Sequence, residues 1–166
     1  MLLALGNLFD GSGLRIAKED LRTILENRLD SARLALKLGF GLGPFLAGLD
    51  KFFNLLADWP HYVSPLAAAL PVSPQTFMYV VCIIEMAVGV AVLTRWTRIA
   101  SYVAMGWLVC IAANLVTAGF LDVAVRDLEM AIAAYTLARL TEVHEAGLVA
   151  AVPSTNTPAR RIGAAA

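Results

Sequence analysis

Residues 76–94 read TFMYVVCIIEMAVGVAVLT, an apolar run in which Glu85 is the single charged residue. About 20 apolar residues in a helix cross the roughly 30 Å hydrocarbon core of a bilayer, so this run predicts a transmembrane helix. Two further segments have the same character, residues 32–53 (ARLALKLGFGLGPFLAGLDKFF) and 99–120 (IASYVAMGWLVCIAANLVTAGF). A fourth, residues 123–143 (VAVRDLEMAIAAYTLARLTEV), is the most polar. The sequence therefore predicts an all-α membrane protein, a polytopic four-helix bundle.

The composition of the whole chain agrees with a membrane protein. Of its 166 residues 59% are hydrophobic and 16% are charged, and the mean hydropathy is +0.71. Soluble domains are about 45–50% apolar and about 25% charged, so a soluble globular protein is excluded. The 13 basic and 13 acidic residues balance. The basic ones are too widely spaced to follow a phosphate backbone, so we expect no nucleic-acid partner.

The basic residues predict the orientation of the bundle, because Lys and Arg in short loops stay on the cytoplasmic side. Most of them precede or open the first predicted span, separate the second from the third, or lie at the end of the fourth and beyond it: Arg15, Lys18, Arg22, Arg28, Arg33, Lys37, Arg95, Arg98, Arg139, Arg160 and Arg161. Both termini are therefore predicted to be cytoplasmic, and the 52–75 connection to lie outside.

The segments around the bundle divide the chain into three predicted parts. Residues 1–30 have leucines and charges at helical spacing, which predicts an amphipathic cytoplasmic helix. This helix would lie on the membrane, on a partner or on its own bundle. Residues 31–145 form the bundle, and residues 146–166 predict a flexible tail. In the outer connection, Ser64 before Pro65 has the pattern of a helix start and predicts a short interfacial helix.

Small residues predict how the helices approach one another, since membrane helices associate through close packing rather than hydrophobicity. Gly39, Gly43 and Ala47 are four residues apart and share one face of the first predicted span. Gly89 offers a matching surface on the second. We expect these residues to form contacts within one subunit.

Ionisable residues inside membrane spans are costly and normally face the bundle interior. The polar cluster, as we call it, consists of such residues near the outer half of the predicted bundle: Asp50, Lys51, Glu85, Asn114, Arg126, Asp127 and Glu129. Arg126 is the predicted counter-ion of Glu85, of Glu129 or of both. The cluster either fixes the packing of the four helices or lines an outward-opening site for a quinone carbonyl or a small anion. The sequence leaves both interpretations open, and it predicts no catalytic residue and no metal site.

From Arg33 to Arg139 the chain resembles the DoxX-like family of small four-helix bacterial membrane proteins. The matching pattern in the first span is R-x-x-L-x-x-x-F-x-x-x-P-F-L-A-G-L-D-K-F. It is followed by E-x-x-x-G at Glu85 and Gly89, by L-T-R-W-T-R-I-A at residues 93–100, and by R-D-L-E at the start of the fourth span. The resemblance implies a location in the bacterial inner membrane.

Members of that family are described as membrane subunits of thiosulfate:quinone oxidoreductase or as membrane partners of soluble redox enzymes. Fold alone does not determine which activity a chain has. The function we expect from the resemblance is that of an accessory or anchor subunit in a membrane-associated redox complex, not catalytic alone. A quinone-binding oxidoreductase subunit is the alternative, with quinone as its ligand. Transport of a small solute ranks third, because the inner halves of the spans carry few polar residues.

Overall fold

The computed structural model describes residues 11–53, 55–69 and 71–151, and all of its regular structure in these ranges is helical. The helices are α1 (Gly11–Phe53), α2 (Pro65–Ala68), α3 (Pro74–Leu93), α4 (Thr97–Ala118) and α5 (Leu121–Ala151), with a 3₁₀ turn at Trp59–Tyr62. Residues 1–10 of the predicted N-terminal segment and residues 152–166 of the predicted tail lie outside the described ranges. Residues 146–151, predicted to begin the tail, instead continue α5.

Four long helices run up and down in chain order and form two close pairs. Helix α1 packs mainly against α3, and α4 packs along α5. The largest buried cluster combines Phe40, Val92 and Leu137 with alanines of α4 and α5. Helices α1, α3 and α4 are long and apolar enough to cross a membrane, which confirms a helical membrane protein. Helix α5 forms where the fourth span is predicted, but it is not among those three.

Helix α1 is continuous over 43 residues, so the predicted boundary at residue 30 lies inside a helix. At about 1.5 Å per residue, α1 is roughly 64 Å long, about twice the hydrocarbon thickness of a bilayer. Residues 13–29 are all exposed. This described part of the amphipathic segment therefore does not pack on the bundle.

The glycines that bring α1 and α3 together differ from the predicted ones. Gly39 and Gly43 are exposed, and a Cβ on either would meet no atom within 4 Å. Gly41 and Gly48 instead face α3, while Ala47 is half-buried. Gly89 is buried against α1 as predicted. The packing face of α1 is therefore rotated away from the Gly39 and Gly43 row.

The connection between α1 and α3 contains the predicted short helix. The hydroxyl of Ser64 accepts a hydrogen bond from the backbone N–H of Ala67, and Pro65 occupies the first helical position. Ser73 caps α3 in the same way through the N–H of Thr76. Serine caps satisfy backbone donors that a helix start leaves unpaired, which is why both helices begin there. We call this end of the bundle the Phe53 end and the opposite end the Thr94 end.

Candidate functional site: a buried ion pair under a tryptophan

A buried ion pair between α1 and α3 lies at the centre of the polar cluster. The Nζ of Lys51 donates to Oε2 of Glu85 over 2.6 Å, and the two residues are only 4% and 9% exposed. The pair forms because Gly48, one turn before Lys51, lets α1 approach the backbone of α3 at Cys82. The sequence predicted Arg126 as the counter-ion of Glu85, whereas the structure gives that position to Lys51.

Trp59 covers the ion pair from the connection. The Lys51 Nζ lies 3.9 Å from the centre of the Trp59 ring, a favourable cation–π distance. The indole N–H of Trp59 donates to Oδ2 of Asp50 over 2.7 Å. Asp50 also accepts hydrogen bonds from the backbone N–H groups of Leu55 and Leu56. The Asp50 carboxylate thus orders the chain just after α1 and holds Trp59 over Lys51.

Asn114 belongs to a separate contact that fastens the connection to α4. Its Nδ2 donates to the carbonyl of Tyr62 over 3.0 Å, and its Oδ1 accepts from the N–H of Ser64 over 3.3 Å. Beside it the Tyr62 ring packs on Phe120, with ring centres 4.7 Å apart. The amide therefore pairs backbone groups of the connection, and its side-chain hydrogen bonds are to this segment rather than to Glu85.

Replacing Asn114 by Leu should loosen the connection and leave the bundle folded. Two hydrogen bonds to backbone are lost, each with a net contribution of about 0.5–1.5 kcal/mol. We expect amide exchange in residues 55–69 to become roughly tenfold faster, measured by hydrogen exchange with mass spectrometry in detergent. Thr117→Val is the matched control, since the Thr117 hydroxyl bonds only within its own helix. Equal protection in both variants would contradict this role for Asn114.

The three charged residues at the start of α5 do not act together. Arg126 and Glu129 are exposed on the outside of the bundle, and Asp127 is half-buried. Within the part of the chain that the structure describes, neither Arg126 nor Glu129 forms an ion pair. Helix α5 thus contributes one half-buried carboxylate and two outward-facing charges to the predicted cluster.

Sequence reasoning missed Trp59 as a partner of the ion pair. It also missed a polar contact near the Thr94 end. There Nδ1 of His144 lies 2.7 Å from Oδ1 of Asp30, with Arg33 beside both. Arg33 and His144 are 111 residues apart in sequence, so spacing along the chain gave no signal for that contact. Trp59 is only nine residues from Asp50, but its position over Lys51 depends on the irregular path of the connection, which helical spacing does not predict.

Two open grooves on the bundle lie away from the ion pair. One, of about 290 Å³, is lined by Arg95, Trp96, Arg98 and their neighbours, and an adjoining one of about 250 Å³ continues along α3 and α4. No residue of the polar cluster lines either groove. To reach Lys51, a ligand carbonyl would have to displace Trp59 or Glu85 from the ammonium group. This geometry favours a packing role for the ion pair.

Among the described residues, no group of three or more His, Cys, Asp or Glu side chains is placed to hold a metal ion. Cys82 is buried and Cys110 is exposed, and both are free thiols. Comparison of the chain with protein-family models, curated proteins and solved structures gives no match. The resemblance to the DoxX-like family therefore stays a prediction from the motifs. The structure itself supports a helical membrane protein.

Proposed function

We propose that this chain is a membrane-embedded anchor, an accessory subunit whose α1 helix holds a protein partner at the cytoplasmic face of the bacterial inner membrane. The observation that supports this proposal is the exposed half of α1. Residues 11–30 continue the spanning part of the helix without a break. They extend it by roughly 30 Å, which is farther than lipid headgroups reach.

The exposed half of α1 has one apolar face. Leu14, Leu21, Ile24 and Leu25 recur at helical spacing and are 51–60% exposed. On the polar face, Nε of Arg22 pairs with Glu26 over 2.8 Å. An uncovered apolar row of this kind is typical of a helix that lies in a hydrophobic groove of a partner. Because α1 is continuous, its apolar row projects away from the bilayer instead of lying along it.

The buried ion pair between Lys51 and Glu85 also agrees with an anchoring role. A buried pair contributes little net stability compared with apolar packing, but it can fix which helix faces sit together. Lys51 and Glu85 would then hold α1 in one rotation against α3, and with it the direction in which the apolar row points. The DoxX-like motifs that include these two residues fit such a role, and a redox enzyme is the class of partner that the resemblance implies.

Two matched variants test the anchor proposal. Leu21→Glu/Leu25→Glu places two charges on the apolar row, while Thr23→Glu/Asn27→Glu places the same charges at the same spacing on the opposite side of α1. Burying a leucine contributes about 1.5–3 kcal/mol, so losing two should weaken partner binding by roughly a hundredfold or more. Mild-detergent purification at native expression level, followed by quantitative mass spectrometry, measures the partner retained.

The expected result is a stoichiometric partner with the wild type and with Thr23→Glu/Asn27→Glu, and its loss with Leu21→Glu/Leu25→Glu. Circular dichroism checks that each bundle is still folded. A wild-type chain that purifies without any stoichiometric partner contradicts the proposal. The same holds if both variants keep the partner, because the apolar row would then not be the contact.

A further inference from the structure

The exposed surface of α5 consists of two different rows of side chains. One row is apolar and large, and its members are 44–67% exposed: Val125, Leu128, Ile132 and Tyr135. The other row follows one residue later at the same spacing. It contains Arg126, Glu129 and Thr136, which are exposed, and Ala133, which is half-buried at the edge of the core. Asp122, one turn before Arg126, extends it to the start of the helix. At 3.6 residues per turn, a shift of one residue turns the second row by about 100° from the first. We call the second row the charged row.

The charged row lies at membrane depth. Helix α5 packs along α4, which is one of the helices able to cross a membrane, so its first turns lie beside the last turns of α4. Glu129 is eight residues inside α5, or roughly 12 Å from its start. A charge facing lipid at this depth is costly, whereas the apolar row beside it suits lipid well. Small and polar side chains on one helix face are what contacts between membrane helices use.

The core face of α5 is already occupied. Ala124, Ala131 and Ala138 are buried against the rest of the bundle, on the side of the helix opposite Arg126 and Glu129. Farther along α5 the core face includes Leu137 and reaches the edge of the charged row at Ala133. Arg126 and Glu129 stay exposed and therefore need an occupant from outside the subunit. Since Arg126 and Glu129 make no ion pair among the described residues, that occupant should supply one carboxylate and one cation at matching depth.

We propose that a second copy of this chain covers the charged row, and that Arg126 of each copy pairs with Glu129 of the other. Arg126 and Glu129 are complementary in charge to the same two residues of a second copy. Arg126 and Glu129 lie about 60° apart around the helix and about 4.5 Å apart along it. A two-fold axis along the membrane normal keeps the two α5 helices parallel. It places the Arg126 side of one helix opposite the Glu129 side of the other. Each arginine then faces a glutamate, which gives two equivalent ion pairs. Ala133 and Thr136 allow close approach next to them.

Cysteine cross-linking in native membranes tests which row forms the contact. In a Cys110→Ala background, which removes the exposed native thiol, Ala133→Cys lies near the proposed axis and Ile132→Cys points into lipid. A disulfide needs Cα atoms within about 7 Å, so oxidation should give at least about tenfold more dimer for Ala133→Cys than for Ile132→Cys. Equal yields from the two positions, no dimer from Ala133→Cys, or a disulfide from it to a different protein would each overturn the proposal.

Charge reversal tests the ion pairs themselves. Arg126→Glu and Glu129→Arg each place like charges opposite one another, and each should weaken dimerisation by roughly tenfold or more, measured as dimer fraction against protein-to-lipid ratio. The double variant Arg126→Glu/Glu129→Arg restores opposite charges at both contacts and should recover most of the dimer. These residues are exposed in the single subunit, so its fold should be unchanged. A monomeric wild type, or a double variant no better than the single ones, would refute the ion pairs.

Discussion

Replacing Lys51 by Met should be the most damaging single change to the stability of the bundle. The substitution keeps the apolar volume of the side chain but leaves the Glu85 carboxylate, only 9% exposed, without its counter-ion. Removing one member of a buried ion pair costs about 3–5 kcal/mol, because the remaining charge stays buried and unpaired. We expect the free energy of unfolding to fall by that amount in a denaturant titration in detergent micelles.

The double variant Lys51→Met/Glu85→Gln distinguishes a lost pair from lost packing. With both charges removed, no uncompensated charge remains, so the double variant should be more stable than Lys51→Met alone. Lys18→Met, a change of the same kind at an exposed position of α1, should alter stability by less than about 0.5 kcal/mol. If the effects of Lys51→Met and Glu85→Gln simply add, the two side chains are not coupled and the ion pair does not hold α1 on α3.

The helices could be predicted from sequence because their signals are local. Apolar runs of membrane length predicted α1, α3 and α4. Helices α3 and α4 have close to the expected bounds, whereas α1 begins at Gly11 rather than at residue 32. The Ser64 and Pro65 pattern predicted α2, because a helix cap depends only on residues within one turn. The polar start of the fourth predicted span was also visible in the sequence. Together with the charges in its last turns, it makes α5 less apolar than the three helices able to cross a membrane.

The partners inside the bundle could not be predicted, because they depend on how each helix is rotated. Neighbouring residues on a helix point about 100° apart, so an error of one position exchanges a buried residue for an exposed one. This is why Gly41 faces α3 although Gly39 was predicted to do so, and why Lys51 rather than Arg126 pairs with Glu85. The sequence does predict how deep each residue lies along the membrane normal. That depth placed both Lys51 and Arg126 near Glu85 and gave no basis for choosing between them.

Gly89→Ala and Gly43→Ala should shift stability in opposite directions. At Gly89 a Cβ would lie 2.6 Å from the carbonyl oxygen of Gly41 and 3.1 Å from the backbone nitrogen of Phe45. Backbone atoms cannot move aside as a flexible side chain can, so α1 and α3 have to separate. Overpacking of this kind costs about 1–3 kcal/mol.

At Gly43 a Cβ meets no atom within 4 Å, so alanine gains helix propensity of about 0.5–1 kcal/mol at no steric cost within the subunit. Unfolding titrations in detergent of the two variants and the wild type should therefore place Gly89→Ala below the wild type and Gly43→Ala at or above it. Gly89→Ala should also weaken the ion pair between Lys51 and Glu85, because that pair depends on the same close approach of α1 to α3. If both variants were destabilised to the same degree, the helix α1 would face α3 with the Gly39 and Gly43 row instead of with Gly41 and Gly48.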